Sequence, residues 1–210
     1  MINIINMYFY YNNDSTIIQV EGGKSMIIGI CGKSGCGKST LARNIIESSK
    51  YEGVHLDIDK VGHQVLLLHE VQKELILTFG EDIVMHNNVD RKKLGEIVFD
   101  SKNEMDKLTD ITWKYMQIEI DKFILDNKDK LIILDWLLLP LSKYFKMCDI
   151  RILLDVPYEI RKKRAMKRDN ITEDAFDLRE KASIDFNQED FDYVFNQGGD
   201  EDIKRMVKKL

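Results

Sequence analysis

The pattern of apolar and polar positions changes its period several times along the chain. "MIIGIC" (26–31) is a short, β-branched, continuously apolar run ending in a glycine-rich stretch, the pattern of a buried strand feeding a loop. A helix is expected next, over 38–49. "VHLDID" (54–59) reads as a second strand with acidic residues at its carboxyl end. Further buried strands are expected at "KLIILD" (130–135), "DIRILLDV" (149–156) and "DYVFN" (192–196), each separated from the next by helical periodicity. Strands alternating with helices point to an α/β fold with a mostly parallel sheet covered on both faces. The interval 60–128 shows little strand pattern and much helical period, as in "EVQKELILTFG" and "NEMDKLTDITWKYMQIEIDKFILDN", and reads as a helical insertion. Residues 1–25, rich in Asn and Tyr, read as an N-terminal extension to a domain over 26–210.

Composition narrows the class. With 44% apolar and 32% charged residues and only two prolines in 210, the chain has the make-up of a helix-rich globular protein. A net charge of −5 argues against a nucleic-acid binder, whose footprint is basic, while leaving room for small anionic ligands in local cationic pockets. Cys31, Cys36 and Cys148 are odd in number and lack metal-ligand spacing, so a reduced, cytoplasmic setting is expected. The longest apolar run, "LIILDWLLLPL" (131–141), is too short to span a membrane and is interrupted by Asp135, and the N-terminus lacks a secretory pattern.

The chemistry begins where the first strand ends. Gly32, Lys33, Ser34, Gly35, Cys36, Gly37, Lys38 and Ser39 satisfy G-x-x-x-x-G-K-[ST] between an expected strand and an expected helix. Glycines there let successive amides converge on phosphate oxygens at a positively polarised helix start. The stretch Gly32–Thr40 is thus the expected ATP-binding loop, with Lys38 reaching the β- and γ-phosphates and Ser39 ligating Mg²⁺. Cys36 is either a small residue tolerated at a variable position or a thiol acidified by the helix terminus.

"RKKRAMKRD" (161–169) puts Arg161, Arg164 and Arg168 at helical spacings that bring them towards one face. Closing over a nucleotide, such a cluster would neutralise the transferring phosphoryl group; as a solvated helix face it would do nothing. Asp57 and Asp59 are two apart and, on an extended segment, share a side, so one would take a proton from an attacking hydroxyl while the other orients Mg²⁺. Asp59 is alternatively a helix cap. Asp135, at a strand end where open α/β sheets bind ligands, is a metal-shell carboxylate or a turn residue. These residues allow a kinase with a small-molecule acceptor or a nucleotide-binding regulator.

Several motifs together resemble the dephospho-coenzyme A kinase family: "MIIGICGKSGCGKST", "HLDIDKVGHQV", "FGEDIVMHNNVDRKKLGEIVF" (79–99), "RAMKRDNITEDAF" (164–176) and "FDYVFNQGGD" (191–200). The resemblance implies a P-loop kinase fold with a five-stranded parallel sheet, helices on both faces, a helical substrate-binding insertion (60–128) and a lid (158–183). It also implies ATP-dependent phosphorylation of the ribose 3′-hydroxyl of dephospho-coenzyme A, the last step of coenzyme A synthesis. By the same matching Asp59 corresponds to the general base, and Arg164 and Arg168 to lid arginines. The chain departs from the family at Trp113–Lys114, where a His-Pro pair is usual, at "DWLLLPL", where "DVPLLFE" is usual, and at Ser183, where Gln is common.

Overall fold

The computed structural model describes residues 26–85, 88–98 and 101–196; the expected extension at 1–25 lies outside them. The described chain divides into two compact units, one running from Ile58 to Phe123 and the other formed by residues 26–57 and 124–196.

The second unit is built on five strands: β1 (Met26–Cys31), β2 (Gly53–Asp57), β5 (Leu131–Asp135), β6 (Ile150–Leu154) and β7 (Tyr193–Phe195). They form one sheet in the order β2-β5-β1-β6-β7, with every pair parallel, as the alternating pattern predicts. β1 and β5 are central, and β5 is buried along its whole length, which is why both read as continuous apolar runs. Side chains alternate between the faces of a strand. Ile28 and Ile30 of β1 pack with Ile133, Ile152 and Leu154 against Leu41, Ala42 and Ile45 of α1 (Lys38–Ser48). On the opposite face Gly29 leaves no room: a Cβ there would meet Cys148 Sγ at 2.7 Å and Leu139 at 2.8 Å. That face is closed by the turn Leu139–Leu141 and by α6 (Lys143–Met147). After β6 come α7 (Tyr158–Asp169) and α8 (Glu173–Lys181). Asn170, with φ of 51° in the left-handed region, ends α7, and the Thr172 side chain caps α8 by accepting from the Ala175 amide.

The first unit is helical, with α2 (Ile58–Val65), α3 (His69–Phe79), α4 (Arg91–Val98) and α5 (Lys102–Asp126, which runs on into the second unit), plus the two-residue strands β3 (Val84–Met85) and β4 (Asn88–Val89) paired antiparallel. Along α5 the buried positions Leu108, Thr112, Met116 and Ile120 recur every fourth residue, a core-facing stripe. Trp113 and Lys114 sit inside this unbroken helix. Lys114 Nζ donates to both oxygens of Glu74 on α3 at 2.7 Å, and the Tyr115 hydroxyl donates to the same carboxylate at 2.9 Å. Without a proline, α5 keeps its full backbone ladder and uses Lys114 to tie itself to α3.

One expectation is corrected. The second strand stops at Asp57 and α2 begins at Ile58, so Asp59 is a first-turn helical residue rather than the second of two carboxylates on one extended segment. The same-side argument for Asp57 and Asp59 therefore fails, because the backbone changes period between them.

The stripe on α5 makes a direct test. Ile120, fully buried, should cost about 2–5 kcal/mol when replaced by Ala, the range for a cavity in a packed core. Ile118, 60% exposed, should change stability by less than about 0.5 kcal/mol on the same replacement. Denaturant unfolding of the two variants makes the comparison.

Candidate active site

The loop between β1 and α1 is shaped by its glycines and by what lies against it. Gly35 has φ of 80°, and a Cβ on it would fall 2.3 Å from the Arg161 carbonyl oxygen, so loop and α7 touch backbone to backbone. Gly37, with φ of 103°, stands at the N-cap of α1, where the amides of Thr40 and Leu41 turn back onto its carbonyl. The amides of this stretch open the helix, the arrangement in which backbone N–H groups receive anions.

Asp135 gathers the loop's chemistry. It ends β5, pairs in register with Asp57 at the end of β2, and is only 2% exposed. The Ser39 hydroxyl donates to its Oδ2 at 2.8 Å, His55 Nε2 lies 3.3 Å from the same oxygen, and Lys38 Nζ stands 3.8 Å from Oδ1. Lys38 also donates to the Gly32 carbonyl at 3.1 Å. Burial pushes the Asp135 carboxyl up, but the Lys38 charge and the hydrogen bonds from His55 and Ser39 outweigh it and hold the group below its ordinary value. It is therefore a buried carboxylate with its donors in place, and the bare turn-residue reading is set aside. Asp57 is half-buried.

Cys36 packs into the core beneath the loop, and burial holds its thiol above the ordinary value despite the nearby Lys38. The acidified-thiol alternative finds no support here: desolvation outweighs the lowering by the Lys38 charge and the Lys38 amide.

The three arginines of α7 part company. Arg161 is buried; its guanidinium donates to both oxygens of Glu180 on α8 at 2.7 and 2.8 Å, to the Val156 carbonyl at 2.8 Å and to the Ser34 carbonyl of the loop at 3.4 Å. It braces loop, α7 and α8 rather than standing with the other two. Lys33 joins the same brace, 3.4 Å from Glu180 and 3.1 Å from Asp185. Arg164 reaches the loop, with Nη1 3.5 Å from the Cys36 carbonyl, and pairs with no carboxylate among the described residues. Arg168 is held by Asp169 at 2.7 and 2.9 Å, and Asp169 is also bound by Arg179. That hydrogen bond raises the Arg168 value, with a smaller contribution from the charge on Asp57.

Asp59 belongs to the helical unit, and its Oδ1 is shielded from solvent. Sequence reasoning missed His55 and Glu180. His55 is two residues before Asp57 in a strand, so alternation alone places it on the Asp57 side. Glu180 is nineteen residues from Arg161, and no local pattern links the two.

Hard oxygen donors suit magnesium, which takes one or two protein ligands and completes its shell with phosphate and water. The Ser39 hydroxyl and Asp135 carboxylate, 2.8 Å apart beside the loop, fit such a role. Among the described residues no group of three or more His, Cys, Asp or Glu side chains could hold a metal by itself. Among them, too, no helix is long and apolar enough to cross a membrane.

A parallel five-stranded sheet whose first strand delivers a G-x-x-x-x-G-K-S loop into a helix, with an acidic residue at the end of the adjacent strand, defines a P-loop kinase. The family model for dephospho-CoA kinase matches residues 26–192, and the chain belongs to that family. It is 37% identical to the dephospho-CoA kinase of Aquifex aeolicus, over 87% of this chain and 94% of that protein. Among solved structures it is similar to TT1252 from Thermus thermophilus, with a TM-score of 0.73 and 25% identity over 89% of this chain and 96% of the other. It is also similar to the dephospho-CoA kinase from Campylobacter jejuni, with a TM-score of 0.52 and 25% identity over 88% and 95%. The protein is accordingly a phosphotransferase of coenzyme A biosynthesis.

The α7–α8 junction has a pH signature. Hydrogen bonds from Arg168, joined by Arg179, hold the Asp169 carboxyl at about 2, against roughly 3.9 in an unfolded chain. The folded value is the lower one, so the stabilisation is present above about pH 4 and is lost as pH falls towards about 2. Asp169→Asn should flatten the stability profile across that window, measured by denaturant unfolding at successive pH values.

Proposed function

We propose that this kinase transfers the γ-phosphate of ATP to the ribose 3′-hydroxyl of dephospho-coenzyme A. The observation that carries the reading is the convergence of Lys38, Ser39 and Asp135 at the carboxyl ends of β1 and β5, directly beside the glycine loop. In this reading the amides of Gly32–Thr40 hold the triphosphate and Lys38 turns from the Gly32 carbonyl to the β- and γ-phosphates. Mg²⁺, held through Ser39 and Asp135 with Asp57 close by, supplies charge neutralisation at the phosphates. Arg164, already at the loop, and Arg168 neutralise the charge spread over the transferring group from the lid formed by α7 and α8. Asp59 accepts the proton of the attacking hydroxyl. The residues over 60–128 form the acceptor-binding part, and the reaction runs in the cytoplasm, where the free thiols of Cys31, Cys36 and Cys148 stay reduced.

ADP release measured with dephospho-coenzyme A, adenosine and AMP as acceptors tests the reading. Dephospho-coenzyme A should drive ADP formation in step with coenzyme A formation, and its failure to do so, or an equal rate with AMP, would overturn the assignment. Asp59→Asn should lower turnover by roughly 10²–10⁴-fold while ATP affinity survives. Lys38→Ala should abolish turnover in a folded protein. Arg164→Ala and Arg168→Ala should depress kcat more than ATP affinity, since they act on charge that develops during transfer. Wild-type rates in the Asp59→Asn enzyme would end the general-base role.

A further inference from the structure

The helical unit holds a cation that no described carboxylate neutralises. Arg91, the first residue of α4, is half-buried, and its Nη2 donates to His63 Nε2 on α2 at 2.7 Å. A guanidinium has only donors, so His63 accepts and carries its own ring proton on Nδ1. The partner of the arginine is therefore a neutral ring. Arg91 Nε is shielded from solvent and has no acceptor, and among the described residues no carboxylate pairs with this side chain. Desolvation pulls the Arg91 value down, the mark of a charge taken from water without an anion in exchange. The helix end beneath it is already satisfied, since the Asp90 carboxylate accepts from the Lys92 and Lys93 amides at 3.0 and 3.3 Å. What lacks an anion among the described residues is the side chain.

Elsewhere this protein gives its half-buried or buried arginines carboxylates, as with Arg161 on Glu180 and Arg179 on Asp169. A fork of N–H donors, oriented by an imidazole and paired with no described carboxylate, suits a planar or tetrahedral oxyanion from outside. We infer that Arg91, oriented by His63, binds the diphosphate of the acceptor. The inference rests on the proposed reaction: the diphosphate is the only anionic group of dephospho-coenzyme A, so an acceptor-binding unit with a single uncompensated guanidinium has one partner to choose.

Steady-state kinetics of Arg91→Gln and Arg91→Lys test this. Arg91→Gln should raise the KM for dephospho-coenzyme A by roughly 10–100-fold, the loss of a charge-assisted hydrogen-bonded contact, with the KM for ATP unmoved and kcat held. Arg91→Lys keeps the charge and should recover part of the loss, which a purely structural arginine has no reason to do. An unchanged acceptor KM in Arg91→Gln, or a Lys variant no better than the Gln one, overturns the inference. A second measurement separates it from the reaction assignment. In the Lys38→Ala background, where the nucleotide loop has lost its lysine but keeps its amides, inorganic pyrophosphate should raise the melting temperature, and adding Arg91→Gln should clearly reduce the rise. If dephospho-coenzyme A proves not to be an acceptor, the reaction assignment falls while this anion site still stands or falls on the pyrophosphate shift.

Discussion

The active end of the sheet depends on one buried carboxylate. Asp135 is the last residue of a strand buried on both faces, so its charge is taken out of water at a cost that only specific donors offset. Two of these, Lys38 and Ser39, open α1 directly after the loop, and the third, His55, lies on β2. One side chain thus binds the phosphate loop to the strand on the other side of β5, and the parallel register that sets Asp57 and Ile30 beside Asp135 makes the meeting possible. Because a carboxylate only accepts, the Ser39 hydroxyl is held as a donor to it, while Lys38 stands beside it as an ion pair and donates to the Gly32 carbonyl.

A second brace fixes the loop from its other side. The close approach of Gly35 to the Arg161 carbonyl requires a residue without Cβ, and the Arg161 guanidinium then binds the Ser34 carbonyl and, through Glu180, α8. The loop is therefore not a free segment waiting for phosphate. Its backbone is set by a glycine contact and its flank by a buried ion pair, so its amides need little rearrangement to receive an anion.

Much of this was legible in the sequence, and the limits have physical causes. Strands buried on both faces, such as β5, announce themselves as apolar runs, and the alternation of strand and helix patterns gives the half-buried edge strands β2 and β7 and the parallel α/β class. The loop is legible because its chemistry is contiguous. The division of labour among Arg161, Arg164 and Arg168 is not, because helical spacing gives a shared face and says nothing of Glu180 or Asp169 packed against it. The Asp57–Asp59 pair misleads for a related reason: a two-residue spacing implies a shared side only while the backbone stays extended, and the change to helix at Ile58 has no marker such as Pro or Gly. At Cys36 the sequence leaves two readings open, and the apolar contacts beneath the loop, which come from distant strands, favour the small packed residue.

The charges sort into two kinds once the partners are known. Lys33, Arg161, Arg168 and Arg179 are engaged by carboxylates of the chain, and they stiffen the loop, α7 and α8. Arg164 and Arg91 have, among the described residues, only neutral partners, a loop carbonyl in one case and an imidazole in the other. A protein of net charge −5 that handles polyanions cannot rely on its overall field to attract them. In the proposed reaction, individual cations without a described carboxylate would do this work, with Arg164 at the loop and Arg91 in the helical unit.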